Sequence, residues 1–254
     1  MAAAARAAEI IRAGAANRAS LTWENKSRAD FVSDVDRASE AAIADVVRAR
    51  HPDAKLLAEE GSPVMEDRSG LVFVADPLDG TTNFLHGFPW YAVSIAALVD
   101  DEIVAGAILN PANGELFTAT KGGGARLAGQ RIAVSTIDDP LRALIGTGMP
   151  FKGGPDVDEY LRMLRPIMEQ TAGIRRPGAA ALDFADVACG RFEGFWELSL
   201  APWDIAAGVL LVREAGGIVT GVAGEPVRVT HTGIVMGNPR MHAWLLERVR
   251  QDQQ

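Results

Sequence analysis

Cysteine is almost missing from this chain. Cys189 stands alone, so no internal disulfide can form, a pattern that fits a reducing compartment and sets the expectation of a cytoplasmic protein. The four histidines, His51, His86, His231 and His242, are scattered, and with one cysteine they offer no cluster to hold zinc. There is no Gly-Lys-Ser/Thr phosphate loop and no kinase-like glycine loop, which argues against transfer from a nucleoside triphosphate. No run is long and apolar enough to span a membrane. The Ala-rich start is interrupted by Arg6, Glu9 and Arg12, so it reads as an amphipathic helix rather than a targeting segment. Positive charge is in short supply. Twenty-five Lys and Arg face 33 Asp and Glu, a net charge of −8, and nucleic acid is not an expected partner. No internal repeat or low-complexity linker divides the 254 residues, which suit a single domain of two lobes, 1–135 and 136–254.

What is present centres on Asp76-Pro77-Leu78-Asp79-Gly80-Thr81-Thr82-Asn83-Phe84. The apolar run at 71–75 reads as a buried strand that delivers two carboxylates, three residues apart, at its C-terminal end. Pro77 fixes the backbone between them and removes a donor. Gly80 lets a ligand approach the backbone, and Thr81 and Thr82 open a short helical turn whose N–H groups favour an anion.

Around this stretch the pattern predicts a helix at 2–16, a polar irregular segment at 17–29 and a helix from about 34 to 50 capped by Ser33 or Asp34. A strand at 55–61 ends in Glu59-Glu60-Gly61. Residues 90–99 and 103–109 form a hairpin about Asp100-Asp101, Asn113-Gly114 turns into a strand at 115–120, and short strands flank Ala125 and Arg131. The second half alternates strands (144–148, 174–176, 192–198, 218–222, 233–236) with helices (156–169, 179–188, 203–215, 239–250), and Pro166 predicts a kink or break in the first of these helices.

Acids close or open four separate elements: Asp34 and Asp36, Glu59 and Glu60, Asp76 and Asp79, and Asp204. Each has an ordinary structural reading. Asp204 reads as a helix N-cap, Asp36 as a first-turn helix acid, and Glu59-Glu60 as a solvated strand end. If they converge, mutual repulsion demands a cation, and all-oxygen ligands select Mg²⁺, Mn²⁺ or Ca²⁺. Mg²⁺ completed by phosphate and water is the usual arrangement for phosphoryl chemistry.

Taken together these residues resemble the inositol monophosphatase family of Mg²⁺-dependent, lithium-sensitive phosphatases. Asp76 to Phe84 is similar to the family's DPxDGTxNF motif, Glu59-Glu60-Gly61 to its acidic pair, Val32 to Asp36 to its V-T/S-x-x-D motif, and Trp203-Asp204-Ile205-Ala206-Ala207-Gly208 to its WDxAAG motif. The order and spacing match along nearly the whole chain. The resemblance implies an α/β (α+β) fold, a layered αβαβα sandwich of the inositol monophosphatase and fructose-1,6-bisphosphatase type, usually a homodimer. It implies that Glu59, Asp76, the Leu78 carbonyl, Asp79 and Asp204 hold two or three Mg²⁺ ions. Gly80 and Thr81 would bind phosphate, while Glu59 and Thr81 would orient the attacking water with Asp36 behind them.

Lys26 falls where the family often has a basic residue, and a solvated loop lysine is the plain alternative. Gly178-Ala179-Ala180 stands where the family commonly has Gly-Ser-Ala or Gly-Thr-Ala, so a hydroxyl able to touch substrate is missing. Glu197, seven residues before Asp204, is expected to read polyol hydroxyls, and Asp183 is expected to be structural. The expected partner is a small phosphate ester, inositol 1-phosphate foremost, with no nucleic acid and no membrane. Histidinol phosphate, fructose 1,6-bisphosphate and adenosine bisphosphates are the rival substrates, and a moonlighting role in a transcription complex is the rival of another class.

Overall fold

The computed structural model describes residues 1–27, 30–150, 156–230 and 232–250. His231, one of the scattered histidines, lies outside them. In chain order the elements are α1 (Ala2–Ala16), β1 (Trp23–Ser27), β2 (Asp30–Ser33), α2 (Asp34–Arg50), β3 (Lys55–Ala58), β4 (Leu71–Asp79), α3 (Thr81–His86), β5 (Ala92–Val99), β6 (Glu102–Leu109), β7 (Leu116–Thr120), β8 (Gly124–Leu127), β9 (Gln130–Arg131), β10 (Leu144–Thr147), α4 (Val157–Glu169), β11 (Gly173–Arg175), α5 (Ala180–Ala188), β12 (Gly194–Leu200), α6 (Pro202–Glu214), β13 (Ile218–Thr220), β14 (Thr232–Gly237) and α7 (Pro239–Arg250).

The strands form a seven-stranded sheet, β3-β4-β5-β6-β7-β8-β9, a five-stranded sheet, β11-β10-β12-β14-β13, and the small β1-β2 ribbon. Side chains alternate along each strand, so the two faces of each large sheet feed different cores. In the first sheet Val72, Val74 and Ala96 point into a cluster with α5 and α6, while Ala75, Val93 and Ile95 meet α1 and α2 through Ala4, Ala8, Ile11 and Ile43. In the second sheet Phe195, Ile234 and Met236 join the same α5–α6 cluster. Trp196 and Val235 face the other way, onto Met163 and Ile167 of α4 and Leu245 of α7. The order of layers is therefore α1/α2, sheet, α5/α6, sheet, α4/α7, the αβαβα sandwich expected.

The helices of the central layer approach their neighbours closely where small residues stand at the contacts. A Cβ placed on Gly106 of β6 would lie 3.1 Å from the Ala207 backbone of α6, and one on Gly208 would overlap the Phe184 side chain of α5. Ile205, Ala206, Ala207, Val209 and Leu211 are all buried, so α6 has no face turned to water over this stretch.

The structure departs from the sequence expectations in several places, among them the strand expected at 55–61, which ends at Ala58. The segment at 17–29 is not wholly irregular: Arg18–Ser20 forms a 3₁₀ turn and Trp23–Ser27 pairs antiparallel with β2. α4 runs through Pro166 without a break, because Met163 and Ile167 on either side of it bury into the core and hold the helix across the missing hydrogen bond. Finally, β4 does not stop at Ala75 but continues to Asp79. Its register against β5 shifts between Asp76↔Ser94 and Asp79↔Ala92, so three steps on β4 match two on β5. That one extra residue is a bulge, located at Pro77-Leu78 where proline cannot donate to the ladder.

Candidate active site

The bulge decides the chemistry. Residues three apart on a regular strand point to opposite faces, and one extra residue returns them to the same side. Asp76 and Asp79 accordingly converge, and Asp204 at the start of α6 joins them. One carboxylate oxygen from each of the three lies within 4.8 Å of the others. Backbone N–H groups fix each carboxylate: Leu78 N donates to Asp76 Oδ1 at 2.9 Å, Ala181 N of α5 to Asp79 Oδ2 at 2.8 Å, and Ala201 N to Asp204 Oδ2 at 2.7 Å. Asp204 is not the N-cap expected from sequence. Ala201 occupies that position, and Asp204, in the first turn, reaches back to it.

Burial pushes the Asp76 carboxyl well above the usual carboxylate range, and the charges of Glu59, Asp79 and Asp204 push it further. A partly buried, all-oxygen set of converging acids, whose charges oppose ionisation of Asp76, fits a hard divalent cation such as Mg²⁺.

Beside the carboxylates stands a hydroxyl held by α2. Ser33 caps that helix, with Val35 N donating to its Oγ at 3.2 Å, and Asp36 answers by accepting from Ser33 N at 2.9 Å and Ser33 Oγ at 2.5 Å. Asp36 Oδ1 then accepts from Thr81 Oγ1 at 2.8 Å, with the Leu78 carbonyl at 3.0 Å as that hydroxyl's second acceptor. Burial raises the Asp36 carboxyl, against the pull of its hydrogen bonds from Ser33 and Thr81. Thr81 begins α3, and Gly80 before it has φ +84°. A Cβ on Gly80 would lie 3.0 Å from the Trp90 carbonyl oxygen and 3.1 Å from Ala179 Cβ, so both conformation and space require glycine here.

Of the acidic pair, Glu59 lines the cleft and Glu60 faces α2. Lys26 of β1 donates to Glu59 Oε1 at 2.8 Å and also to Glu60, so it is no solvated loop lysine. Burial would lower the Lys26 ammonium, but Glu59 and Glu60 override it and the net direction is up. Glu60 is pushed to about 7, mainly by burial. Glu59 is not within the three-carboxylate cluster. It lines the same cleft, close enough for its charge to act on Asp76.

At the opposite end Gly178, Ala179 and Ala180 line the cleft, as does Glu197 on β12. Glu197 packs on Gly148, where any Cβ would overlap its carboxylate. Like β4, β12 carries an irregularity, with three steps from Glu197 to Leu200 matching two from Ile234 to Thr232 on β14. Asp183 is buried, as expected of a structural residue, and it also lines the cleft. Burial, then the charges of Glu197 and Asp79, raise its carboxyl well above the ordinary range.

Several residues here were not singled out in the sequence. Asn83 Nδ2 donates to the Trp90 and Pro177 carbonyls at 2.7 and 2.9 Å, tying α3 to the 178–180 segment. Arg176 and Thr147 also line the cleft. Ser39 Oγ donates to the Pro77 carbonyl at 2.9 Å. Its spacing from Asp36 was the available signal, since positions three apart share a helix face.

A model of the inositol monophosphatase family matches residues 1–254. The chain is 45% identical over 222 residues to an inositol-1-monophosphatase of Rhizobium meliloti strain 1021, covering 87% of this chain and 84% of the relative. It is 42% identical over 245 residues to a putative Nus factor SuhB of Neisseria meningitidis serogroup B, covering 96% and 94%. The crystal structure of extragenic suppressor protein suhB from Bartonella henselae superposes with a TM-score of 0.94 at 42% identity, over 98% of this chain and 96% of that one. On these matches and on the site that the fold assembles, the chain belongs to the inositol monophosphatase family.

Proposed function

We propose that this protein hydrolyses a phosphate monoester, with inositol 1-phosphate or a close polyol phosphate as substrate, using Mg²⁺. The observation that carries the reading is the convergence of Asp76, Asp79 and Asp204 beside a Thr81 hydroxyl whose proton is committed to Asp36. Glu59, Asp76, the Leu78 carbonyl, Asp79 and Asp204 would hold two or three ions. Bound there, Mg²⁺ supplies Lewis-acid chemistry, lowering the pKa of a water and neutralising charge on the leaving oxygen.

The protein's own residues supply orientation. Because Thr81 donates toward Asp36 and the Leu78 carbonyl, its oxygen lone pairs are left to accept from a water, which turns that water's lone pair toward phosphorus. Glu59 faces the same water as a second acceptor. The backbone N–H groups of Gly80 and Thr81 receive the phosphate oxygens at the start of α3. Glu197 accepts from substrate hydroxyls, and Gly178, Ala179 and Ala180 form the wall against which the polyol lies. Lithium sensitivity, a homodimer and a cytoplasmic site of action go with this reading. Among the described residues no helix is long and apolar enough to cross a membrane. A phosphate-release screen over about ten phosphomonoesters, with and without Mg²⁺, tests it. Metal-independent release, or a preference for histidinol phosphate, fructose 1,6-bisphosphate or an adenosine bisphosphate, overturns the substrate assignment.

A second reading has one specific support, the relative named a putative Nus factor SuhB at 42% identity. On it, the protein serves as a partner in a transcription complex. An Asp79→Asn variant separates the two roles: a cellular function that survives loss of phosphatase activity belongs to the partner.

A further inference from the structure

α2 does more than carry Asp36. Its next turn presents Glu40, four residues on and therefore on the same face. Glu40 is not among the residues that line the cleft. Its two carboxylate oxygens accept the backbone N–H groups of the acidic loop, Glu60 N on Oε2 and Gly61 N on Oε1, each at 2.7 Å. A Cβ on Gly61 would lie 2.7 Å from Glu40 Oε1, so the missing side chain is what lets the carboxylate close on the loop. Between these two residues, Ser39 Oγ holds the Pro77 carbonyl at the β4 bulge. One helix face thus grips three chain segments at once: Thr81 through Asp36, the bulge through Ser39 and the acidic loop through Glu40.

β3 ends at Ala58, so Glu59 and Glu60 lie just beyond the sheet. The isolated bridge Ala58↔Ser62 closes this loop into a tight turn, and Glu40 binds its far side. Two charge-assisted hydrogen bonds to adjacent amides fix a peptide plane as well as a position.

We propose that Glu40 is a positioning residue that sets the register of Glu59 against Asp76, Asp79 and Asp204, and so the metal affinity of the site. This rests on the reading above that Glu59 helps hold the cation. Glutamine at position 40 keeps the size but replaces one acceptor with an NH₂ that opposes a backbone N–H.

The test is Mn²⁺ binding to the substrate-free protein by titration calorimetry in wild type, Glu40→Gln, Glu59→Gln and the double variant, with circular dichroism and Tm recorded for each. The expected result is about tenfold weaker Mn²⁺ binding in Glu40→Gln with the far-ultraviolet spectrum unchanged. The double variant should bind no worse than Glu59→Gln alone, because Glu40 acts through that residue. Gly61→Ala, which crowds the same contact from the loop side, should reproduce the Glu40→Gln loss. In turnover, kcat should fall more than KM rises. Wild-type Mn²⁺ affinity in Glu40→Gln overturns the proposal, and so does a drop in Tm with metal binding intact. Additive losses in the double variant also overturn it. If Glu59→Gln alone leaves Mn²⁺ binding unchanged, it is the ligand assignment of Glu59 that has failed, and the proposal falls with it.

Discussion

Two bulged strands feed the cleft, one from each sheet, and they are treated very differently. On β4 the irregular stretch from Asp76 to Asp79 is wholly buried. Its groups are held from several directions, by Ser39 on the Pro77 carbonyl, Leu78 N on Asp76 and Ala181 N on Asp79. On β12 the irregular stretch begins at Glu197 and passes through Ser199, which is exposed. The first arrangement suits groups whose spacing is the chemistry, since preorganised charge loses its effect when it moves. The second suits groups that read a variable leaving alcohol. On the proposed reading, the contrast sets a bond-breaking end that is buried and held from several directions against a recognition end that is more exposed.

Breaking the rigid end should therefore cost most. Asp79→Asn keeps the shape but removes charge from the cluster, and turnover at saturating Mg²⁺ should fall at least ~10²-fold. Phosphate release close to the wild-type rate would remove Asp79 from the metal set. Thr81→Ala is the next largest. It takes away the hydroxyl that Asp36 aims, so kcat should drop about 30-fold while KM stays within about threefold. A change in KM alone would make Thr81 a phosphate contact and nothing more.

The recognition end should give smaller and selective effects. Glu197→Gln should lower kcat/KM for inositol 1-phosphate about tenfold, near 1.4 kcal/mol, and leave a featureless aryl phosphate almost untouched. Equal losses on the two substrates would erase the distinction between the ends. At Asp186, away from the cleft and from the groups that position its acids, turnover should not respond. Burial raises the Asp186 carboxyl to about 6 against the pull of Arg191, 3.1 Å away. Because the folded pKa is raised, the stability this group contributes is complete below the unfolded value near 4 and is lost as pH rises through 6. Asp186→Asn carries no such titration. The stability of the wild type relative to this variant should thus decline by about 1–3 kcal/mol between pH 4 and pH 7.5. Thermal melts at the two pH values that show a constant offset would refute it.

The sequence reading recovered most elements of the fold and the residues that line the site, because strands and helices carry their own periodicity and the acids sit at element ends. What it missed was relational. The bulge at Pro77-Leu78 has no periodic signature. Read as a plain strand end, it leaves unexplained how Asp76 and Asp79 come to share a side. The pairing of Trp23–Ser27 with Asp30–Ser33 was hidden by a polar composition that looks like a loop. Of the kink or break that Pro166 suggested, the break does not occur, since the helix continues with core residues on both sides of the proline. Asp204 was placed on the right helix but at the wrong cap position, since the identity of a cap depends on where the preceding chain turns. The role of Glu40 depends on a loop twenty residues away and could not be seen from its neighbours.

The close packing around α6 bears on how the protein opens. α6 is packed on both sides with spacing set by Gly106, Ala207 and Gly208, and it carries Asp204. Local fluctuations that free a buried helix require both flanking sheets to part, so its amides belong with the slowest to exchange in any hydrogen-exchange experiment. The backbone of Asp204 is anchored with that helix. The acidic loop at Glu59 and Glu60 lies outside the sheets, so its movement need not part them. A cation held between them would enter and depart from the loop side, with the helix standing still.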